Sequence, residues 1–308
     1  MSILVFGHKN PDTDTICSAI AYAELKGKLG KDVKAVRLGE VNEETKFVLD
    51  YFKVEKPELI ESVSGKEIML VDHNERTQTA DGFEEAKVLE LVDHHRISNF
   101  NVDEPLYVRM EPVGCTATII LKLFKENNLL PSPTTAGLML SAIVSDTLLF
   151  KSPTCTGCDV KAGKELAEIA GVNVEEYGLE MLKAGTALGG KSESELINMD
   201  MKIFEVDGSK IGVAQVNTVN EAELLERKEK LLAEINNIIN KEGLKFFIFA
   251  ITNILSNDSI GIVAGDGNAV IEKAFNEKID NNLIALKGVV SRKKQIIPPL
   301  TKAIQEEA

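Results

Sequence analysis

Four short apolar runs in the first hundred residues, 3–6, 33–38, 68–71 and 88–92, constrain the fold of this chain more than any other feature. Residues 15–29 and 43–52, between the first three runs, follow helical patterns. Further helices are expected over 115–127, 134–147 (entered through Pro131 and Pro133) and 157–170. Apolar runs of strand length that alternate with helices are the signature of a parallel sheet buried on both faces. The first half is therefore expected to be an N-terminal parallel-sheet domain of the α/β class, with helices on both faces.

Ligands of open parallel sheets bind at the carboxyl ends of the strands. Three of these ends read Gly7-His8, Asp72-His73-Asn74 and Asp93-His94-His95, and the first continues as Lys9-Asn10-Pro11-Asp12-Thr13-Asp14. All four histidines of the chain, His8, His73, His94 and His95, fall in its first third, each close to an Asp. Imidazole and carboxylate together are the donors a divalent metal takes. Singly, each residue has a plainer role: Asp14 as a helix cap, Asp12 in a turn with Pro11, Asp146 as a solvated helix end. Capping does not explain why a His opens the first loop or why matching groups recur at later strand ends. Asp146 ends an apolar helix, where the helix dipole disfavours an anion unless a cation is near. His8, Asp12, Asp14, Asp72, His94 and Asp146 are thus candidate ligands for two ions. His73 would point away from Asp72 on a strand, so it is expected to be structural or to support a ligand. Consecutive residues such as Asp93, His94 and His95 cannot all face one site. One His is a candidate ligand, the other can reach a substrate, and Asp93 can orient an imidazole.

The second half has a different style. A small polar stretch, 189–194, is the linker candidate, which divides the chain into domains at 1–188 and 195–308. Residues 201–206 and 211–216 flank Asp207-Gly208 and read as a hairpin. A helix is expected over 221–240, and strands over 246–251, 260–263 and 288–291. This describes a smaller mixed-sheet α/β domain. Its last strand runs into Ser291-Arg292-Lys293-Lys294-Gln295. Three consecutive cations could be a solubility patch or the counterpart of a phosphate, for which Arg offers a fork and Lys a point charge. Lys202 is unremarkable by itself.

A length of 308 residues suits two domains. The net charge of −13 disfavours nucleic acid as a partner, and it requires a locally positive site for any anionic substrate. No apolar stretch is long enough to span a membrane, and the chain enters its first strand too early for a signal peptide. The four cysteines lack framework spacing, which fits the reducing cytoplasm. Two motifs are rejected. Gly185-Thr186-Ala187-Leu188-Gly189-Gly190-Lys191-Ser192 matches a phosphate-binding loop by letter, but a helical pattern precedes it where a strand is required. Cys155-Thr156-Gly157-Cys158 has no second pair to complete a zinc site. All four cysteines are expected to be buried or to cap helices.

With these residues assembled, the chain closely resembles the family II inorganic pyrophosphatases of the DHH phosphoesterase superfamily. The matching segments are Gly7 to Thr15, Asp72-His73-Asn74-Glu75, Asp93-His94-His95, Gly114-Cys115-Thr116-Ala117-Thr118, Ser145-Asp146-Thr147 and Ser291 to Gln295, in family order. The resemblance implies hydrolysis of pyrophosphate to two phosphates by a two-metal, bridging-hydroxide mechanism, with two domains closing over the substrate. It implies two manganese or cobalt ions per site, with magnesium a further ion that could accompany the substrate. His8, Asp12, Asp14, Asp72, His94 and Asp146 fall on its metal positions, with Asp72 shared between the ions. His95, Lys202, Arg292 and Lys293 fall on its substrate positions. A cytoplasmic homodimer is expected on the same ground. The alternative is a DHH-type nuclease or nanoRNA phosphoesterase. Those relatives carry a glycine-rich C-terminal element with a His, whereas no His follows His95 here.

Overall fold

The structure, a computed structural model, describes residues 2–186, 188 and 190–306. The chain divides into two compact units, Met1–Gly185 and Thr186–Ala308. The expected linker begins at Gly189, which lies outside the described residues. Ser192, near its end, caps the first helix of the second unit.

The first unit contains β1 (Ile3–Phe6), α1 (Thr13–Lys28), β2 (Val33–Arg37), α2 (Glu43–Tyr51), β3 (Glu58–Leu59), β4 (Glu67–Val71), β5 (Lys87–Asp93), β6 (Tyr107–Met110), α3 (Thr116–Glu126), α4 (Pro133–Thr147), α5 (Gly157–Ala170) and α6 (Val174–Gly185). Its six strands are all parallel, in the order β3-β2-β1-β4-β5-β6. One face packs Phe6, Val36, Ile68, Leu70 and Leu91 against Val63 and Phe83. The chain leaves β1 toward β2 on one side and returns as β4 on the other, so strand order reverses at β1. That reversal opens a crevice at the carboxyl ends, where Gly7-His8 and Asp72 lie. Gly7 is needed there because a Cβ would stand 2.6 Å from Thr15 Cγ2 on α1.

Asp12 caps α1, its side chain accepting from the Thr15 N–H (2.9 Å). Asp14 therefore sits inside the first turn of α1, and the capping role belongs to Asp12. α4 is buried along nearly all its length. It carries Gly137, where a Cβ would stand 2.2 Å from the Phe52 ring. Gly137→Ala is expected to cost about 1–3 kcal/mol through overpacking, read as a lowered urea midpoint at unchanged slope.

The end of α4 is unusual. Leu148, Leu149 and Phe150 follow in succession with φ of 48°, 54° and 66°, all left-handed and none glycine. Sockets on later helices hold this turn. A Cβ on Gly163 of α5 would meet the Phe150 ring at 2.6 Å, and one on Gly178 of α6 would meet Leu149 at 2.5 Å.

The second unit contains α7 (Glu193–Asn198), β7 (Met201–Val206), β8 (Ser209–Thr218), α8 (Glu221–Leu225), α9 (Lys228–Glu242), β9 (Phe246–Asn253), β10 (Asp258–Gly265), α10 (Asn268–Phe275), β11 (Leu283–Leu286) and α11 (Ile297–Gln305). Its mixed sheet has the order β11-β10-β9-β8-β7, with only β8 and β9 parallel. β9 is buried on both faces. Phe247, Phe249 and Ile251 pack with Leu231 and Ile235 of α9, while Phe246, Ile248 and Ala250 pack with Leu300 and Ile304 of α11. The Asp207-Gly208 turn has two positive φ values, 45° and 73°, as a two-residue hairpin requires.

Two expectations are corrected here. The helix over 221–240 is interrupted between α8 and α9. At the break, Arg227 reaches back to Glu193 Oε1 (2.9 Å) and the Lys191 carbonyl (2.7 Å). Residues 288–291 form no strand, and the last strand is β11. Gly288 turns left-handed, and side chains take the backbone groups that a ladder would need. Gln295 accepts from the Val290 N–H (3.0 Å) and donates to the Gly288 carbonyl (2.7 Å), while Gln215 donates to the Val290 carbonyl (3.0 Å). The cations that follow lie on a π-helical turn, Arg292–Ile296, capped by Ser291. No helix among the described residues is long and apolar enough to cross a membrane.

Candidate metal centre

The carboxyl ends of β1, β4 and β5 and the C-terminal end of α4 bring the six candidate ligands together. Asp72 follows β4 in a left-handed conformation (φ 58°) and is almost wholly buried. Its two oxygens face different imidazoles: Oδ2 is 3.6 Å from His8 Nε2, and Oδ1 is 3.5 Å from His94 Nε2. His8 Nε2 is also 3.4 Å from Asp12 Oδ2, and His94 Nε2 is 3.9 Å from Asp146 Oδ2. Among the described residues, donor atoms form three groups within 4.8 Å: Asp72, His94 and His95; His8, Asp12 and Asp72; and Asp14, Cys115 and Asp146.

These gaps are long for hydrogen bonds. They resemble the spacing of roughly 3–3.5 Å between two donors that each lie about 2.1 Å from one ion. The supporting contacts also suit ligands. The His94 Nδ1 lies 3.1 Å from the Val113 carbonyl, an acceptor only, so Nδ1 carries the proton and Nε2 turns inward. Asp72 accepts from Thr15 Oγ1 (2.7 Å) and Thr116 Oγ1 (3.1 Å). Asp14 accepts from Ser18 Oγ (2.6 Å) and from the N–H groups of Thr116 (2.8 Å) and Ala117 (3.3 Å) at the start of α3.

The electrostatics point the same way. Burial, then the neighbouring Asp14, pushes the Asp72 carboxyl up to about 7. Burial and the charges of Asp14 and Asp72 push Asp146 well above the carboxylate range. Burial alone would depress His94, but Asp72 and Asp14 outweigh it and raise it to about 9. Carboxylates crowded into a dry pocket penalise one another's ionisation, and a divalent cation removes that penalty. The donor set therefore fits a metal.

Asp93 is fully buried and orients His95. Its Oδ1 accepts from the His95 N–H (3.0 Å) and lies 2.9 Å from His95 Nδ1, while Asn74 Nδ2 donates to Oδ2 (2.6 Å). His95 itself is half exposed. His73 stays out of the ligand groups. Its Nδ1 lies 3.0 Å from the Val71 carbonyl, and burial holds it down at about 4. A cavity of about 290 Å³ beside the ligands is lined by His8, His73, Asn74, Gln78, His95 and Arg96, among others.

Lys202, Arg292 and Lys293 lie in the second unit, Lys202 on β7 and the other two on the π-helical turn. Arg292 Nη1 pairs with Asp200 Oδ1 (2.8 Å), and the Arg292 N–H donates to Gln215 Oε1 (2.9 Å). Asp200 immediately precedes β7, so the arginine is tethered close to Lys202 in the chain.

The phosphate-loop lettering follows α6, a helix, and two of its residues, Ala187 and Gly189, lie outside the described residues. Cys17 and Cys115 are buried as expected, but Cys158 is exposed and Thr156 is the residue that caps α5. Asp159 has a role that sequence reading did not find. Fully buried, it accepts from the Gly114 N–H (2.9 Å), Thr118 Oγ1 (2.6 Å) and both the N–H and Oγ1 of Thr156. It thereby fixes the start of α3, which holds Asp14.

Comparison with known proteins gives the family. Residues 2–143 match the DHH family N-terminal domain, and residues 179–303 match the DHHA2 domain. An Exiguobacterium protein named "Probable manganese-dependent inorganic pyrophosphatase" is 60% identical over 98% of both chains. The chain belongs to the manganese-dependent inorganic pyrophosphatase family. A Bacillus cereus member with the same name is 55% identical over 98% of this chain and 99% of its own. A crystal structure from Methanococcus jannaschii, named for family II inorganic pyrophosphatase, is 43% identical with a TM-score of 0.64, covering 99% of this chain and all of that one. An exopolyphosphatase-related protein from Bacteroides fragilis, at 14% identity and TM-score 0.52, covers 99% of this chain and 92% of its own and shares the fold alone.

Proposed function

We propose that the chain hydrolyses pyrophosphate to two phosphates with two divalent ions held by His8, Asp12, Asp14, Asp72, His94 and Asp146. The observation that carries this reading is the Asp72 carboxylate, whose oxygens face the imidazoles of His8 and His94 separately. It occurs in a chain 60% identical, end to end, to a relative named as a manganese-dependent pyrophosphatase. In this reading His8 and Asp12 serve one ion, Asp14, His94 and Asp146 serve the other, and Asp72 serves both. Such a pair supplies Lewis acidity toward phosphoryl oxygens and a water acidic enough to be a nucleophile at neutral pH. Carboxylate and imidazole donors favour manganese or cobalt.

The remaining work falls to the chain itself. Asp93 holds His95 Nδ1, which leaves Nε2 to hydrogen-bond the substrate. Arg292, Lys293 and Lys202 bring positive charge to the phosphoryl oxygens, where charge builds in the transition state. The four free cysteines support a reducing, cytoplasmic setting, and family resemblance supports a homodimer.

Manganese-loaded protein is expected to release two phosphates per pyrophosphate, and a chelator to abolish that release. Assaying short oligonucleotides alongside decides between the alternatives. Cleavage of the oligonucleotides with pyrophosphate untouched would overturn the reading.

A further inference from the structure

Glu44, in the first turn of α2, is none of the candidate ligands, yet its carboxylate joins the segments that carry three of them. Its Oε1 accepts from Thr13 Oγ1 (2.7 Å) and also from Ser145 Oγ. Thr13 lies between Asp12 and Asp14, and Ser145 precedes Asp146. The Thr13 hydroxyl is further held by Thr45 Oγ1 (3.1 Å) on α2. A single oxygen thus ties the start of α1 to the end of α4.

These two helix ends belong to segments far apart in the chain, and the site needs them close. Asp14 and Asp146 place carboxylate oxygens within 4.8 Å of one another. α4 also reaches Asp146 just before its left-handed exit turn, so the helix does not fix that side chain alone. An acceptor bonded to both hydroxyls at once sets the spacing of the segments before any cation arrives. A carboxylate suits this role, since one oxygen can accept two hydrogen bonds.

We infer that Glu44 is a positioning residue, a brace that holds Asp14 against Asp146 and so sets how tightly the ion shared by those two is bound. The inference rests on the two-ion reading above. Supports of this kind typically change metal affinity by about 10–100-fold.

The test is manganese titration of chelator-treated protein by calorimetry. Wild type should bind two ions per chain, and fewer would defeat the two-ion reading itself, whatever Glu44 does. Given two ions, Glu44→Ala is expected to weaken one of them by about tenfold or more and leave the other within about threefold. Glu44→Gln keeps an oxygen that accepts both hydroxyls, so it should restore affinity to within about threefold of wild type. Ser145→Ala, which removes one arm, should weaken the same ion. The double variant should lose little beyond either single one, because both changes break one connection. Equal weakening of both ions would mean a general loss of fold, and would overturn the brace. So would unchanged affinity in Glu44→Ala, additive losses in the double variant, or failure of Gln to rescue. If Glu44→Ala does not fold, Ser145→Ala and Glu44→Gln still decide the matter.

Discussion

Asp72→Asn is expected to strip the protein of manganese and to reduce pyrophosphate hydrolysis by about a thousandfold or more. The substitution conserves size and one acceptor oxygen, so the hydrogen bond from either Thr15 or Thr116 can persist. What it removes is the charge, and the second anionic oxygen that faces the other imidazole. A stability measurement separates this from misfolding. Without metal, burial and Asp14 hold the Asp72 carboxyl at about 7, a sign that its ionised form is disfavoured in the empty pocket. The Asn variant should therefore unfold no earlier than chelated wild type. Manganese, which raises the wild-type melting temperature by preferential binding, should leave that of the variant unmoved. Elemental analysis gives the direct reading, and an Asp72→Asn protein that retains both ions would remove Asp72 from its shared position.

Arg292→Ala should give the complementary result, with about a hundred- to thousandfold lower kcat/KM and both ions still bound. All six candidate ligands lie in the first unit, whereas Arg292 lies in the second. The cost to stability should be small. The pair with Asp200 has a half-exposed acidic partner, and such pairs contribute about 0–1 kcal/mol. Arg292→Lys should recover only part of the rate, because a point charge replaces a planar fork. Loss of manganese from Arg292→Ala would contradict the assignment of metal binding and phosphate binding to separate units.

How much of this was legible in the sequence depended on where each contact came from. β1, β4 and β5 are buried on both faces, so they are written as apolar runs, and candidate ligands stand at their ends. β6, Tyr107-Val108-Arg109-Met110, is an edge strand with Tyr107 and Val108 exposed, and it carries no such run. The stretch 288–291 has strand-like residues, but Gln215 and Gln295 occupy its backbone, and a pairing between distant side chains leaves no local pattern. The same holds for Glu44 and Asp159. Each is an ordinary acid in the first turn of a helix, and each acquires its role only when segments about 30 to 100 residues away arrive beside it.

The left-handed turn at Leu148–Phe150 has a consequence for the order in which the chain assembles. Three successive non-glycine residues in that region cost of order 1–3 kcal/mol each and persist only where surrounding structure over-determines them. Here the surroundings are the notches at Gly163 and Gly178, both later in the chain than any of the six candidate ligands. A nascent chain that has just emitted Asp146 thus holds every candidate ligand, and the Glu44 contacts, but not the notches that seat the turn leaving α4. That turn is therefore expected to settle only once α5 and α6 have been synthesised and have docked.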